Sequence, residues 1–174
     1  IMVREKKMAT AELCPLLDSI VALSADFGAA VTVNSNYTAA SLCKIPGVHL
    51  PQMEPVATVR RVVGAQMLIG ASTHSLAEAQ TAIAEGANYV TMSPIFLTDS
   101  KPGYGPALGL ENLRVMTQAI GAPVLALGGV TVDNAADCVR AGAAGVAVMG
   151  SVMRSPTPGA IIRDLIETLS TVAT

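Results

Sequence analysis

Residues 123–151 read PVLALGGVTVDNAADCVRAGAAGVAVMGS. The apolar run 124–127 stops at Gly128-Gly129, a segment of helical period follows over 132–141, and a second apolar run, 145–149, stops at Gly150-Ser151. Continuous apolar strands suit a parallel sheet covered on both faces, whereas a half-exposed strand would alternate. The expected unit is strand-helix-strand, with both strand ends bare of bulky side chains. Glycine at such an end lets backbone N–H groups come close to an anion. In a (β/α)8 barrel the loops after the last two strands, with the N-terminus of a short helix, commonly hold a phosphate. Gly128-Gly129 and Gly150-Ser151 are placed for that task, and tight turns would explain the same glycines equally well.

The rest of the chain repeats this unit. Strands are expected at 2–3, 29–33, 47–50, 67–71 and 88–92 ahead of the two just described, with helices at 9–27, 37–44, 56–63, 76–85, 110–120 and 158–172 beside the one at 132–141. Seven strands alternating with seven helices predict parallel βαβ units in one α/β domain spanning residues 1–174. A closed barrel has eight pairs. The expectation is therefore a (β/α)8 TIM barrel whose first βα unit is missing from the chain, or an incomplete barrel capped by something else. An open doubly wound sheet is the competing topology.

Composition excludes several functions. Aromatic residues make up 3% of the chain and Trp is absent, so there is no base-stacking surface, and a net charge of −2 gives no general pull toward nucleic acid or anionic membrane. No apolar run reaches the length of a membrane span, and the opening IMVREKK lacks the apolar core of a signal peptide. Cys14, Cys43 and Cys138 are odd in number and far apart in apolar helical contexts. They read as buried free thiols of a cytoplasmic protein.

Parallel strands turn all their C-terminal ends to one edge, where the polar residues form a set. They are Arg4 and Lys6; Asn34 and Ser35; His49, Gln52 and Glu54; Ser72 and His74; Thr98, Ser100 and Lys101; Gly129; Gly150 and Ser151. Cations supply charge-assisted hydrogen bonds and glycine-flanked amides supply neutral ones, a combination suited to phosphorylated ligands. Lys7 reads as a solvated charge. Arg4 and Lys6 read as site residues, because strand alternation points both the same way. His49, flanked by apolar residues in VHL, reads as a hydrogen-bonded core histidine, and His74, just past a strand end, as an acid/base candidate. Glu54 is a candidate Mg2+ ligand, an ion that takes its remaining ligands from water and phosphate. Residues 97–109 form the longest irregular stretch, and loops of that length inside a compact domain are usually functional.

The segments VREK (3–6), VHLPQ (48–52), GASTHS (70–75), TDSKPG (98–103), LGLENL (108–113), ALGGV (126–130) and AGAAGVAVMGS (141–151) together resemble the thiamine phosphate synthase and TenI family nearly end to end. The resemblance implies a (β/α)8 barrel that joins hydroxymethylpyrimidine diphosphate to thiazole phosphate and releases pyrophosphate with Mg2+ present. It further implies that Arg4, Lys6, Asn34 and Lys101 contact the pyrimidine diphosphate and that Ser72 makes a pyrimidine-side contact. Thr98, Ser100, Gly129 and the backbone of Met149, Gly150 and Ser151 would contact the thiazole phosphate.

This chain departs from the family pattern at three places. Asn34-Ser35 stands where the pattern has Asn-Asp, Pro51-Gln52-Met53-Glu54 where it has Gly-Gln followed closely by Asp, and Met2 where it has Gln. Three functions fit this pattern. The first is the synthase, acting on small phosphorylated substrates with no nucleic-acid or membrane partner and with homo-oligomerisation left open. The second is a TenI-like thiazole tautomerase in which His74 shuttles a proton. The third is a non-catalytic thiazole-phosphate-binding regulatory module.

Overall fold

The structure is a computed structural model that describes residues 1–98 and 105–172. Its elements are β1 (Met2–Val3), α1 (Thr10–Ala25), β2 (Thr32–Asn34), α2 (Tyr37–Leu42), β3 (Gly47–Leu50), α3 (Val56–Val63), β4 (Leu68–Thr73), α4 (Leu76–Ala84), β5 (Tyr89–Met92), α5 (Gly109–Ala119), β6 (Val124–Leu127), α6 (Val132–Arg140), β7 (Gly145–Ala147), α7 (Gly150–Met153) and α8 (Pro158–Ser170). The strands belong to one sheet in chain order, β1 through β7. The pairs β1/β2, β2/β3, β3/β4, β5/β6 and β6/β7 are parallel. Sequential order without a reversal is the topology of a (β/α)8 barrel one βα unit short of eight. It excludes the doubly wound alternative, whose strand order reverses at a switch point.

The chain forms two compact units, Ile1–Ser72 with Thr81–Asn88, and Thr73–Gln80 with Tyr89–Thr174. In the first unit, Leu13 and Leu17 of α1 pack against Val3, Val31, Val33, Ala39, Ala40 and Ile45. Both leucines are essentially inaccessible to solvent, and burying each stabilises the fold by roughly 1.5–3 kcal/mol. Leu23, which the helical pattern puts on the same apolar face, is 75% exposed, so α1 buries a narrower stripe than its sequence predicts.

Arg60, in the last turn of α3, ties this unit together. Its guanidinium donates to the backbone carbonyls of Gly64, Met67 and Gly86 and to Oδ1 of Asn88. That same Oδ1 accepts the N–H of Ile69 at the start of β4. Truncation leaves several part-buried acceptors without a donor, a loss of about 2 kcal/mol for Arg60→Ala. Urea denaturation checks this; a loss below about 0.5 kcal/mol would mean that water replaces the guanidinium at no penalty.

The cysteines correct one expectation. Cys14 of α1 and Cys43, the residue that caps α2, form a disulfide with their Cα atoms 5.4 Å apart. Helices α1 and α2 pack side by side and bring the two within bridging range, a proximity that a sequence separation of 29 does not reveal. Only Cys138, buried in α6, is a free thiol, and burial pushes its pKa up to about 11. A disulfide removes the cysteine pattern as an argument for a reducing compartment. Among the described residues, no helix is long and apolar enough to cross a membrane.

In the second unit, Val90 and Met92 of β5, Val124 and Ala126 of β6, Leu113 and Met116 of α5 and Ala135 of α6 are buried. Helix α8 packs against α6 but buries Leu165 alone, leaving Ile162 and Ile166 at the surface. Strand β7 ends at Ala147, two residues short of its apolar run, because the chain leaves the ladder to enter α7 at Gly150.

Candidate active site

In the first unit, four consecutive strand ends are linked by hydrogen bonds. Arg4, directly after β1, donates from Nε to Oδ1 of Asn34 at 2.9 Å. Asn34, the last residue of β2, donates from Nδ2 to the carbonyl of His49 at 3.1 Å, and the Ser35 N–H donates to the same carbonyl at 2.9 Å. The His49 ring then meets Ser72 of β4, with Nε2 and Oγ 2.9 Å apart. Register makes this possible, since Asn34 stands opposite His49 and His49 opposite Gly70 in the parallel ladders. Ser35 takes a left-handed backbone conformation, φ 63°, as the chain turns from β2 toward α2.

His49 is 3% exposed, and desolvation by burial pushes its pKa down to about 4. Near neutral pH the ring is uncharged and carries one donor and one acceptor nitrogen. Reading His49 as a hydrogen-bonded core residue is correct as far as it goes. What the flanking valine and leucine hide is that its partners include two of the candidate binding residues, Asn34 and Ser72.

In the second unit, His74 lies between the end of β4 and α4. Its Nδ1 is 2.6 Å from the carbonyl oxygen of Ser93, and because a carbonyl only accepts, Nδ1 carries the proton. The basic nitrogen of the neutral ring is therefore Nε2. The His74 backbone is held as well, through an N–H donated to the Glu78 carboxylate at 2.7 Å, while Ser75 Oγ accepts the N–H of Glu78 at the start of α4. The Ser75/Glu78 spacing thus caps the helix and fixes the histidine together.

The Gly128-Gly129 pair has a structural requirement of its own. Both residues have positive φ, 92° and 65°. The chain after β5 runs over them, with Ile95 and Phe96 donating their N–H groups to the carbonyls of Leu127 and Gly128. A Cβ on Gly128 would lie 2.8 Å from Pro94, and one on Gly129 would lie 2.7 Å from Cβ of Phe96. The Gly129 carbonyl accepts from Nδ2 of Asn134, whose Oδ1 accepts the Thr131 N–H that opens α6.

The remaining candidates are placed less closely. Lys6 is exposed in a bend, and because β1 stops at Val3, strand alternation does not extend to it. Glu54 is exposed in the turn ahead of α3. Thr98 is half-buried, Met149 is exposed as the N-cap of α7, and Gly150 and Ser151 form its first turn. Ser100 and Lys101 lie outside the described residues. Among the described residues, no group of three or more His, Cys, Asp or Glu side chains is gathered to hold a metal ion.

Comparison with known proteins bears on what these groups do. A family model described as thiamine monophosphate synthase matches residues 1–152. A thiamine-phosphate synthase of Roseiflexus sp. (strain RS-1) is 37% identical over 95% of this chain and 70% of its own length. One of Methanoculleus marisnigri is 40% identical over 95% of this chain and 79% of its own. Among solved structures, a thiamine phosphate pyrophosphorylase from Pyrococcus furiosus superposes with a TM-score of 0.90 and 28% identity, covering all of this chain and 84% of that one.

Proposed function

We propose, since the chain belongs to the thiamine monophosphate synthase family, that it joins hydroxymethylpyrimidine diphosphate to thiazole phosphate, releasing pyrophosphate in thiamine biosynthesis. The observation that carries this reading is the likeness to synthases of that name over 95% of the chain.

The reaction follows from where charge develops. The bond between the pyrimidine methylene carbon and the diphosphate oxygen breaks, the electron pair leaves with the diphosphate, and the thiazole nitrogen donates its lone pair to the resulting cation. No side-chain nucleophile is needed. Catalysis then rests on donors already aimed at the departing oxygens, which is usually the largest single contribution to a rate enhancement. Arg4 serves this role, its guanidinium oriented by the Nε contact to Asn34. Lys6 and Lys101 add charge, and Asn34 and Ser72 hold the pyrimidine diphosphate. Thr98, Ser100, Gly129 and the backbone of Met149 to Ser151 take the thiazole phosphate.

Mg2+ is implied by the family, and the residues present make a poor protein cage for it. Glu54 is the one carboxylate at the expected places, Ser35 stands where a second would be, and no three-ligand cluster occurs among the described residues. An ion held here would depend on diphosphate oxygens and water for most of its ligands. No step above is routed through it.

The position of His74 Nε2 as the basic nitrogen favours a second reading, proton transfer on the thiazole ring as in TenI-like tautomerases. Pyrophosphate release from the two substrates, with and without Mg2+, separates the readings. Release that requires both substrates is expected. Tight binding of thiazole phosphate without any release would reject the synthase and leave the tautomerase or a binding module.

A further inference from the structure

We infer that His49 is a positioning residue of the pyrimidine-diphosphate half of the site, holding the Ser72 hydroxyl in its binding orientation through the ring and the Asn34 amide through its own backbone carbonyl. The inference rests on the synthase reading and goes beyond it to a residue that touches neither substrate.

Both halves of the inference are geometric. The carbonyl of His49 accepts two donors, Asn34 Nδ2 and the Ser35 N–H, so it determines which way the Asn34 amide faces and leaves Oδ1 turned to Arg4. The ring reaches across to β4 and meets Ser72 Oγ at 2.9 Å. A serine hydroxyl on a strand rotates freely about its χ1 bond unless a neighbour fixes it, and a 1 Å misplacement of a substrate-positioning group can cost on the order of 10²-fold in rate. Strands β1, β2 and β3 have only 2, 3 and 4 residues, so the side-chain bonds supply orientation that such brief ladders cannot. Burial keeps the ring neutral through the physiological range, so its pairing with Ser72 is constant there and not a proton switch.

Removing the ring and removing the carbonyl are different experiments, and only the first is open to side-chain substitution. His49→Phe keeps the bulk and the backbone and deletes the bond to Ser72, while His49→Gln places an amide near the position of Nε2. Four proteins, wild type, His49→Phe, Ser72→Ala and the double variant, with His49→Gln as a fifth, are compared for pyrophosphate release and for calorimetric affinity toward pyrimidine diphosphate alone.

His49→Phe is expected to slow turnover by about 10²-fold at most, to weaken pyrimidine diphosphate and to leave the KM for thiazole phosphate within about twofold of wild type. The double variant should be no worse than Ser72→Ala, because the two residues act through one hydroxyl. His49→Gln should recover a good part of the loss. Multiplying losses in the double variant, or a folded His49→Phe with wild-type turnover and a lowered melting temperature only, would overturn the inference and make His49 a purely structural residue. If wild type released no pyrophosphate, the reaction assignment would fail by itself, and the same four-protein comparison of pyrimidine-diphosphate affinity would still decide the coupling.

Discussion

Replacing Arg4 with alanine is expected to slow pyrophosphate release by about 10²- to 10³-fold, the range seen when one preorganised donor to developing negative charge is removed. Arg4 is exposed, so its value does not come from packing. It comes from orientation, because the Nε bond to Asn34 fixes the plane of the guanidinium while its remaining N–H groups can meet the oxygens of a departing diphosphate. Lys7, exposed in the same bend as Lys6, is the matched control. Lys7→Ala should change turnover by less than about twofold, as solvated surface charges generally do. Comparable losses at the two positions would show that general positive charge, and not an oriented guanidinium, is what the N-terminal segment contributes.

The second large effect is on stability. Gly129→Ala is expected to destabilise the protein by roughly 2–4 kcal/mol, combining about 1–2 kcal/mol for a left-handed backbone conformation with about 1–3 kcal/mol for an overpacked contact. The conformation is φ 65°, and the added Cβ would lie 2.7 Å from Cβ of Phe96, with backbone of the same segment closer still. Gly145 in β7 is the internal comparison. It has no positive φ, and a Cβ there would meet Leu125 Cδ2 at an ordinary 3.5 Å, so Gly145→Ala should cost less than about 1 kcal/mol. Equal losses in urea denaturation would mean that the crossing of residues 93–97 over the β6 end yields easily, and that the glycine pair is kept for an anion alone.

How much of this was readable beforehand depends on the range of the interaction. Continuous apolar runs and helical periods identified every strand and seven of the eight helices among the described residues, because an unbroken apolar run or a period of 3.6 is a property of neighbouring residues. The omitted helix, α7, has four residues, too few for a period to show. The glycine pair after β6 was legible as a special place but not as a contact, since the segment that crowds it lies more than thirty positions earlier. Parity failed for Lys6 for the opposite reason, a strand of two residues being too short to carry alternation past its end.

Local pattern therefore established the parallel α/β order, the bare ends of the last two strands and the chemistry gathered where strands finish. Packing and register established the rest. They joined Cys14 to Cys43 across 29 positions, Arg4 to Asn34 across 30 and His49 to Ser72 across 23. Each of these pairs depends on which residue of one strand or helix comes to lie beside which residue of another, and that alignment is set by the fit of buried side chains between segments, a quantity no single window of the chain contains.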